Sequence, residues 1–306
     1  MTRVHDFFAA LADPTRVRIL LLVRDLQLSV GELAETLDQS QPRVSRHVRI
    51  LAEAGLVRRH KEGAFVFVGV GETLPVKTLY HLVDELLVGE DLIAGDRARL
   101  AQVRADRQRA VDEWFRANAG EWDMLRRMGG QDQAVEAALV AAARVPAVGR
   151  LLDIGTGTGR VLELLADEAV EATGIDRSPE MLRLARGKLA AAGNQQAAVQ
   201  QADMRQLPFE PGSFDTVTLN HVLHYADDPA AVIAEAARTV DVGGKLLVAD
   251  YAPHRHEELR SRFHHSRLGF EDESVLGWMQ AAGLEAARLS VHPGPELDVV
   301  IWEGRR

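Results

Sequence analysis

Leu151-Leu152-Asp153-Ile154-Gly155-Thr156-Gly157-Thr158-Gly159-Arg160 is the stretch whose reading decides the fold. Two apolar residues and an acid lead into three alternating glycines, and Val161, Leu162, Leu164 and Leu165 follow, so the segment reads as strand, tight loop and helix. Glycine lets the backbone turn sharply and come close to a ligand, because no Cβ stands in the way. The following helix offers unpaired N–H groups at its start, which suit an anionic or polar ligand group.

Glycines alone carry little, so the decisive residues lie about twenty positions on. There Ala172-Thr173-Gly174-Ile175-Asp176 reads as a second apolar strand ending in an acid, and Ser178-Pro179 as helix N-cap and first position. An acid at that strand end is placed to accept hydrogen bonds from both ribose hydroxyls. The chain then alternates: helix 179–191 ending at Gly193-Asn194, strands 197–202 and 214–219, helix 229–239 after Asp228-Pro229, and strand 244–250. Short apolar strands separated by helices predict a parallel doubly wound sheet with ligands at its carboxyl ends. Glu285–Val291 and Leu297–Trp302, joined by His292-Pro293-Gly294-Pro295-Glu296, are too close for a crossover helix and read as an antiparallel edge hairpin.

Asp153-Ile154-Gly155-Thr156-Gly157-Thr158-Gly159, Asp176, Gln201-Ala202-Asp203-Met204 and Phe214-Asp215-Thr216-Val217-Thr218-Leu219-Asn220 resemble the successive motifs of the class I S-adenosylmethionine-dependent methyltransferases. The resemblance implies S-adenosylmethionine or S-adenosylhomocysteine as cofactor, with Asp203 meeting the adenine amino group and Met204 lying along the ring. The expected cofactor residues are Asp153, Gly155, Thr156, Gly157, Gly159, Asp176, Arg177, Met181, Asp203, Met204 and Asn220. After strand 214–219, His221, His224 and Tyr225 are candidates for acceptor chemistry. His224 is either a catalytic base or a helix residue that happens to face the cleft. The Asn-Pro-Pro-Tyr signature of DNA adenine methyltransferases is missing, which argues against DNA as methyl acceptor.

The N-terminal part reads differently. Asp13-Pro14 opens a helix reaching about Arg24, Ser29-Val30-Gly31-Glu32 is a capping box, and Ser40 stands at the start of another helix that carries Val44, Val48 and Leu51 inward and ends at Gly55. Two short helices joined by a few residues make a helix-turn-helix. Val57–His60 and Ala64–Val68, around Lys61-Glu62-Gly63, form a hairpin wing. Ser40, Gln41, Arg43, Ser45, Arg46, His47 and Arg49, with Arg58, Arg59 and Lys61 of the wing, are the expected DNA-binding residues. Six Lys/Arg stand against Glu53 alone between Ser40 and Lys61, in a chain of net charge −9.

Residues 7–70 resemble the winged-helix domain of ArsR/SmtB repressors, on Leu11-Ala12-Asp13-Pro14-Thr15-Arg16, Arg18-Ile19-Leu20 and Ser40 to Leu51. The resemblance implies a homodimer on a double-stranded DNA operator. It departs from the metal-sensing pattern: Leu28-Ser29-Val30-Gly31-Glu32-Leu33 replaces the helix with paired cysteines, and His81 lacks the acid two positions before it. No metal is expected. His254, His256, His264 and His265 could ligate one, but His256-Glu257-Glu258-Leu259-Arg260 lacks the second histidine of a zinc-protease helix. Arg255, Arg260, Arg262 and Arg267 either bind an anionic small molecule or pair with nearby acids.

The expected organisation is a winged helix-turn-helix over 1–72, a helical dimerisation or linker region over 73–130, and a Rossmann-like methyltransferase domain over 131–306. In the linker Leu79, Leu82, Val83, Leu86 and Leu87 form a stripe that pairs across a twofold or packs on its own chain. The resemblance to methyltransferases implies that Trp122–Leu125 and a helix from Asp132 to Ala143, ahead of the first strand, cover the cofactor and form the acceptor pocket. With 306 residues, 46% hydrophobic, no cysteine, no signal pattern and Ile19–Val23 as its longest apolar run, the protein is expected to be globular, soluble and cytoplasmic, with no membrane partner. The function expected is a transcriptional regulator whose methyltransferase domain senses the cofactor. The alternative is an active methyltransferase on a small molecule, with the DNA domain controlling its operon.

Overall fold

The computed structural model describes residues 2–24, 28–62, 65–71, 78–80, 82, 93–118, 132–194 and 197–306, which divide into two compact units, Met1–Ala110 and Val111–Arg306. The sequence-predicted segment Trp122–Leu125, His81 and the stripe residues Val83, Leu86 and Leu87 lie outside the described residues.

The first unit holds α1 (Thr2–Leu11), α2 (Pro14–Leu22), β1 (Leu28–Ser29), α3 (Val30–Leu37), α4 (Gln41–Glu53), β2 (Val57–Glu62) and β3 (Phe65–Val70). Asp13 caps α2, its Oδ1 accepting from Thr15 N–H at 2.8 Å and Arg16 N–H at 3.2 Å. The capping box at α3 forms in both directions: Glu32 N–H donates to Ser29 Oγ and Ser29 N–H to Glu32 Oε2. α3 ends at Asp38 in a left-handed conformation, which turns the chain into α4. Ser40 occupies the N-cap position of α4, but its hydroxyl makes no capping hydrogen bond. β2 and β3 pair antiparallel, and β1 adds to β3, giving the order β1-β3-β2, a third strand that the sequence did not announce.

The helix α5 (Ala94–Asn118) begins in the first unit, and the division between units falls within it. Buried Asp96 accepts from Arg18 through Nε and Nη2, both at 2.6 Å, and also from Arg99; Arg99 Nε donates to Thr36 O at 2.7 Å. Tyr80, Ile93 and Leu100 are buried among the apolar residues of α2, α3 and α4, while Leu82 is exposed. Of the described stripe residues, Leu79 packs on the same core.

The second unit contains the C-terminal turns of α5, then α6 (Asp132–Ala143), β4 (Gly149–Ile154), α7 (Arg160–Leu165), β5 (Ala169–Asp176), α8 (Pro179–Ala192), β6 (Ala197–Gln201), β7 (Phe214–Asn220), α9 (Pro229–Thr239), β8 (Val240–Tyr251), α10 (Glu258–Phe263), α11 (Asp272–Ala281), β9 (Glu285–His292) and β10 (Val299–Arg305). The sheet order is β6-β5-β4-β7-β8-β10-β9, parallel from β6 to β8 and antiparallel beyond. The order reverses between β4 and β7, which opens a crevice at their carboxyl ends. Of the terminal hairpin only β9 forms the edge. β10, with Val299 to Trp302 all buried, lies inside against β8, because an apolar run has to be covered on both faces.

Lys245 at the start of the buried run of β8 ties the approach to β4. Its ammonium is buried and donates to Ala143 O at 2.5 Å, Val145 O at 2.8 Å and Ala147 O at 3.0 Å. Burial lowers its pKa to about 8. Lys245→Met is expected to lower the unfolding free energy by about 1–3 kcal/mol, because buried carbonyls lose their donor. Urea unfolding with an unchanged midpoint would contradict this assignment.

Candidate cofactor cleft and nucleic-acid interface

The loop after β4 turns through three glycines with positive φ, 71° at Gly155, 53° at Gly157 and 86° at Gly159. The need for glycine is sharpest at Gly155, where a Cβ would lie 2.3 Å from Val222 Cγ2. Thr156 N–H donates to Ile175 O at 2.8 Å and Gly159 N–H to Thr156 O at 2.8 Å, so the loop is stitched to β5. Thr156 and Thr158 are buried beneath it. At the end of β5, Asp176 accepts from Gly157 N–H at 2.9 Å through Oδ2 and from Ser178 N–H at 2.8 Å through Oδ1. Burial raises its pKa against those two bonds. Each carboxylate oxygen keeps acceptor capacity for a ribose hydroxyl.

Asp203 follows β6 and is bound by Arg205, Nε to Oδ1 at 3.0 Å and Nη2 to Oδ2 at 2.6 Å. That pairing holds its carboxyl below the usual range. An adenine amino group placed there shares the carboxylate with Arg205. Met204 is half-buried on the sheet core, and Met181 is buried in the first turn of α8. Arg177 lies 3.8 Å from Asp203 and 3.4 Å from Asp112 on α5, whose neighbour Arg116 is 3.3 Å from Glu180. Trp114, also on α5, meets Phe263 edge-on at 5.7 Å.

Beneath the glycine loop, Asp153 is buried, its Oδ1 accepting from Thr218 Oγ1 at 2.7 Å. Burial raises its pKa to about 6, opposed by that hydrogen bond. At the end of β7, Asn220 Oδ1 is buried with no hydrogen-bond partner among the described residues, an acceptor left open to a donor.

Beyond Asn220 the structure gathers residues that the sequence scattered. His221 has a left-handed backbone (φ 54°), and its N–H donates to Ala249 O at 2.8 Å. His224 is 2% exposed on a short turn, and its Nδ1 meets Oδ1 of fully buried Asp250 at 2.8 Å. Tyr225, Tyr251 and His265 surround the His224 ring at 4.2, 5.1 and 4.1 Å. Asp250, Tyr251 and the place of His265 went unread in the sequence; an acid ending a buried strand, Ala249-Asp250-Tyr251, was the available signal. Of the four arginines read as either an anion site or partners of nearby acids, Arg260 donates to Ser266 O and lies 3.5 Å from Glu257, and Arg267 Nη2 donates to Asp227 O at 2.9 Å. No group of three His, Asp or Glu able to hold a metal occurs among the described residues.

In the first unit, Gln41, Arg43, Arg46 and Arg49 of α4 are exposed, as are Ser40, Arg58, Arg59 and Lys61, and Ser45 is half-buried. His47 turns inward instead, its Nδ1 3.8 Å from Asp13 Oδ1. Val44, His47, Val48 and Leu51 share one helical face, and that face packs on the core.

A seven-stranded, mostly parallel sheet with this glycine cradle and these strand-end acids defines the nucleoside-cofactor architecture of class I methyltransferases. Comparison with known proteins agrees: residues 152–248 match the family described as "Methyltransferase domain", and residues 13–59 match "Bacterial regulatory protein, arsR family". A phosphatidylethanolamine N-methyltransferase of Cereibacter sphaeroides is 32% identical over 50% of this chain and 71% of its own length. The chain therefore belongs to the S-adenosylmethionine-dependent methyltransferases, and it carries an ArsR-family helix-turn-helix ahead of that domain. The ubiquinone/menaquinone biosynthesis C-methyltransferase UbiE of Desulfotalea psychrophila and the demethylmenaquinone methyltransferase of Deinococcus radiodurans are each 34% identical, over 47% and 49% of this chain. The chain covers only 58% and 64% of their lengths. A methyltransferase solved with the Haloferax volcanii Trm112 activator shares the fold, at a TM-score of 0.51 and 24% identity over 62% of this chain and 96% of its own. The cofactor of the family, S-adenosylmethionine, fits the residues present: bare backbone at Gly155, ribose acceptors on Asp176 and the orphaned Asn220 oxygen.

Gly155→Ala is expected to destabilise the domain by about 1–3 kcal/mol and weaken S-adenosylmethionine binding, since the new Cβ meets Val222 in a left-handed backbone. Normal calorimetric affinity would refute the cradle. Asp153 gives a pH signature. Its folded pKa, about 6, lies above the ordinary aspartate value of 3.8, so between those pH values the folded chain holds the proton more tightly. Stability should fall as pH rises from about 4 to 6. Asp153→Asn should remove that part of the slope in denaturation curves.

Proposed function

We propose that the protein is a cytoplasmic, homodimeric, DNA-binding transcriptional regulator whose operator affinity answers to S-adenosylmethionine or S-adenosylhomocysteine in the C-terminal cleft. The observation that carries this reading is Arg177. It follows the ribose acid directly, and it pairs with Asp112 and approaches Asp203. Asp112 belongs to α5, a single helix whose first turns are held by Arg18 and Thr36 of the winged-helix unit. Filling the nucleoside site changes the charges around Arg177 and Asp203, and so the footing of that helix. In this reading residues 1–72 bind DNA, 73–130 link and dimerise, and 131–306 hold the ligand. Gln41, Arg43, Arg46 and Arg49 enter the major groove while Arg58, Arg59 and Lys61 meet phosphates. Among the described residues no helix is long and apolar enough to cross a membrane.

A second reading, methyl transfer to a small molecule, is favoured by the His224–Asp250 pair.

Fluorescence anisotropy on the DNA upstream of the protein's own coding sequence tests the regulator. Affinity should change roughly 5–150-fold between ligand-free protein and one of the two cofactor forms, the range of a coupling of about 1–3 kcal/mol. Equal affinities would remove the sensing claim. In the same assay Arg46→Ala should cost about 1–3 kcal/mol of binding. His47→Ala should act through stability instead, because its side chain packs inward.

A further inference from the structure

We propose that His224 and Asp250 form a general-base pair, and that the C-terminal domain methylates an uncharged acceptor through a weakly acidic, phenol-type hydroxyl. The proposal rests on the reading that the cleft binds S-adenosylmethionine, and it goes beyond sensing by giving that domain a reaction and a substrate class.

The geometry is that of a base with a fixed tautomer. Asp250 is fully buried and accepts from the His224 N–H at 3.2 Å and from the Tyr251 N–H at 2.8 Å; its Oδ1 also holds His224 Nδ1 at 2.8 Å. Although burial alone would raise its pKa, His224 and these bonds bring it below the ordinary value, so the acid stays ionised. With Nδ1–H committed to the carboxylate, Nε2 carries the lone pair, and no described residue occupies it. A buried carboxylate behind the ring stabilises the imidazolium that forms when Nε2 takes a proton.

The base stands next to the cofactor loop. Val222, whose side chain fills the space a Cβ on Gly155 would need, immediately precedes the turn Leu223–Tyr225 that carries His224. Ser266 and Arg267 N–H groups both donate to His224 O, at 2.9 and 3.0 Å, so the loop bearing His265 is fastened to the same turn.

The surroundings select the acceptor. His265 is 7% exposed with Nδ1 unpartnered, and His254 Nε2 is likewise buried without a partner among the described residues. Burial lowers the pKa of both rings, His254 to about 4, so the wall is neutral at physiological pH. The Asp250 carboxylate stands behind the His224 ring, while Arg260 and Arg267 each donate to a backbone carbonyl, Ser266 O and Asp227 O. The rings of Tyr225, Tyr251 and His265 suit a flat acceptor. A phenol, with an ordinary pKa of about 10, is close enough to imidazole for proton transfer as the oxygen attacks.

The step balances within the chain and the cofactor. The hydroxyl O–H bond breaks and its proton passes to His224 Nε2, while the oxygen forms a bond to the methyl carbon. The S–CH3 bond breaks with its electron pair going to sulfur, leaving neutral S-adenosylhomocysteine, and the imidazolium returns its proton to water.

The test uses the full chain, S-adenosylmethionine and 4-methylphenol, an uncharged phenol of ordinary acidity, following 4-methylanisole by chromatography, with cofactor affinity from calorimetry. The wild type should form product, with a rate that rises with pH through ionisation of the base. His224→Asn should lose about 10²–10⁴-fold in kcat with cofactor Kd unchanged. Asp250→Asn, a change at a positioning residue, should lower kcat and move the rising limb of the pH profile to lower pH, because the imidazolium loses its anion. A merely structural role would not move that limb. Cofactor binding without 4-methylanisole, or a His224→Asn variant as fast as wild type, overturns this proposal alone. Absence of cofactor binding by the wild type overturns both it and the reading beneath it.

Discussion

The contact on which the C-terminal unit depends is the packing of the Val222 side chain against the bare backbone of Gly155 at the switch point of the sheet. Gly155 at the end of β4 and Val222 just after β7 approach so nearly that no side chain fits at position 155. Parallel pairing of β4 with β7 fixes the strands, and the reversal of strand order sends the helices after them to opposite faces. The loops that remain above the sheet then have to share one crevice. Nucleoside chemistry on the Gly155 side and acid–base chemistry on the Val222 side are neighbours for that reason.

The same closeness explains the distribution of charge in the cleft. Asp153 sits under the loop, protonated more readily than an ordinary aspartate because burial opposes its ionised form. Asp250 is equally buried yet ionised more readily, because His224 and backbone N–H groups surround it. Two carboxyls at the ends of β4 and β8, on either side of β7, therefore take different protonation states from their partners alone. Asp176 and Asp203, nearer the rim, are held by backbone N–H groups and by Arg205, which leaves them oriented for a polar ligand.

In the first unit the ordering agent is a set of short-range caps. Asp13, Ser29 and Glu32 each fix a helix start through backbone N–H groups within three residues, and the apolar faces of α2, α3 and α4 close over Leu28, Leu33 and Leu51. The basic face of α4 stays outside because Val44, Val48 and Leu51 take the inside. Gln41, Arg43, Arg46 and Arg49 lie on the outward face where the sequence puts them, while His47 turns inward: its place follows from spacing to Val44 and Leu51, and its polarity concealed it.

Local interactions made much of this protein legible from its residues alone. Helix caps, glycines with positive φ and alternating apolar strands depend on neighbours in the chain, so α3, α4, α8, α9, the glycine loop and the doubly wound class could be read in advance, along with Asp176 at its strand end. Only the tertiary structure decided that β10 lies inside β9, that Arg205 closes on Asp203, and that Asp250 stands behind His224. Those pairings join groups brought together by sheet order or by a turn in a loop, and neither periodicity nor composition encodes which side chains will meet.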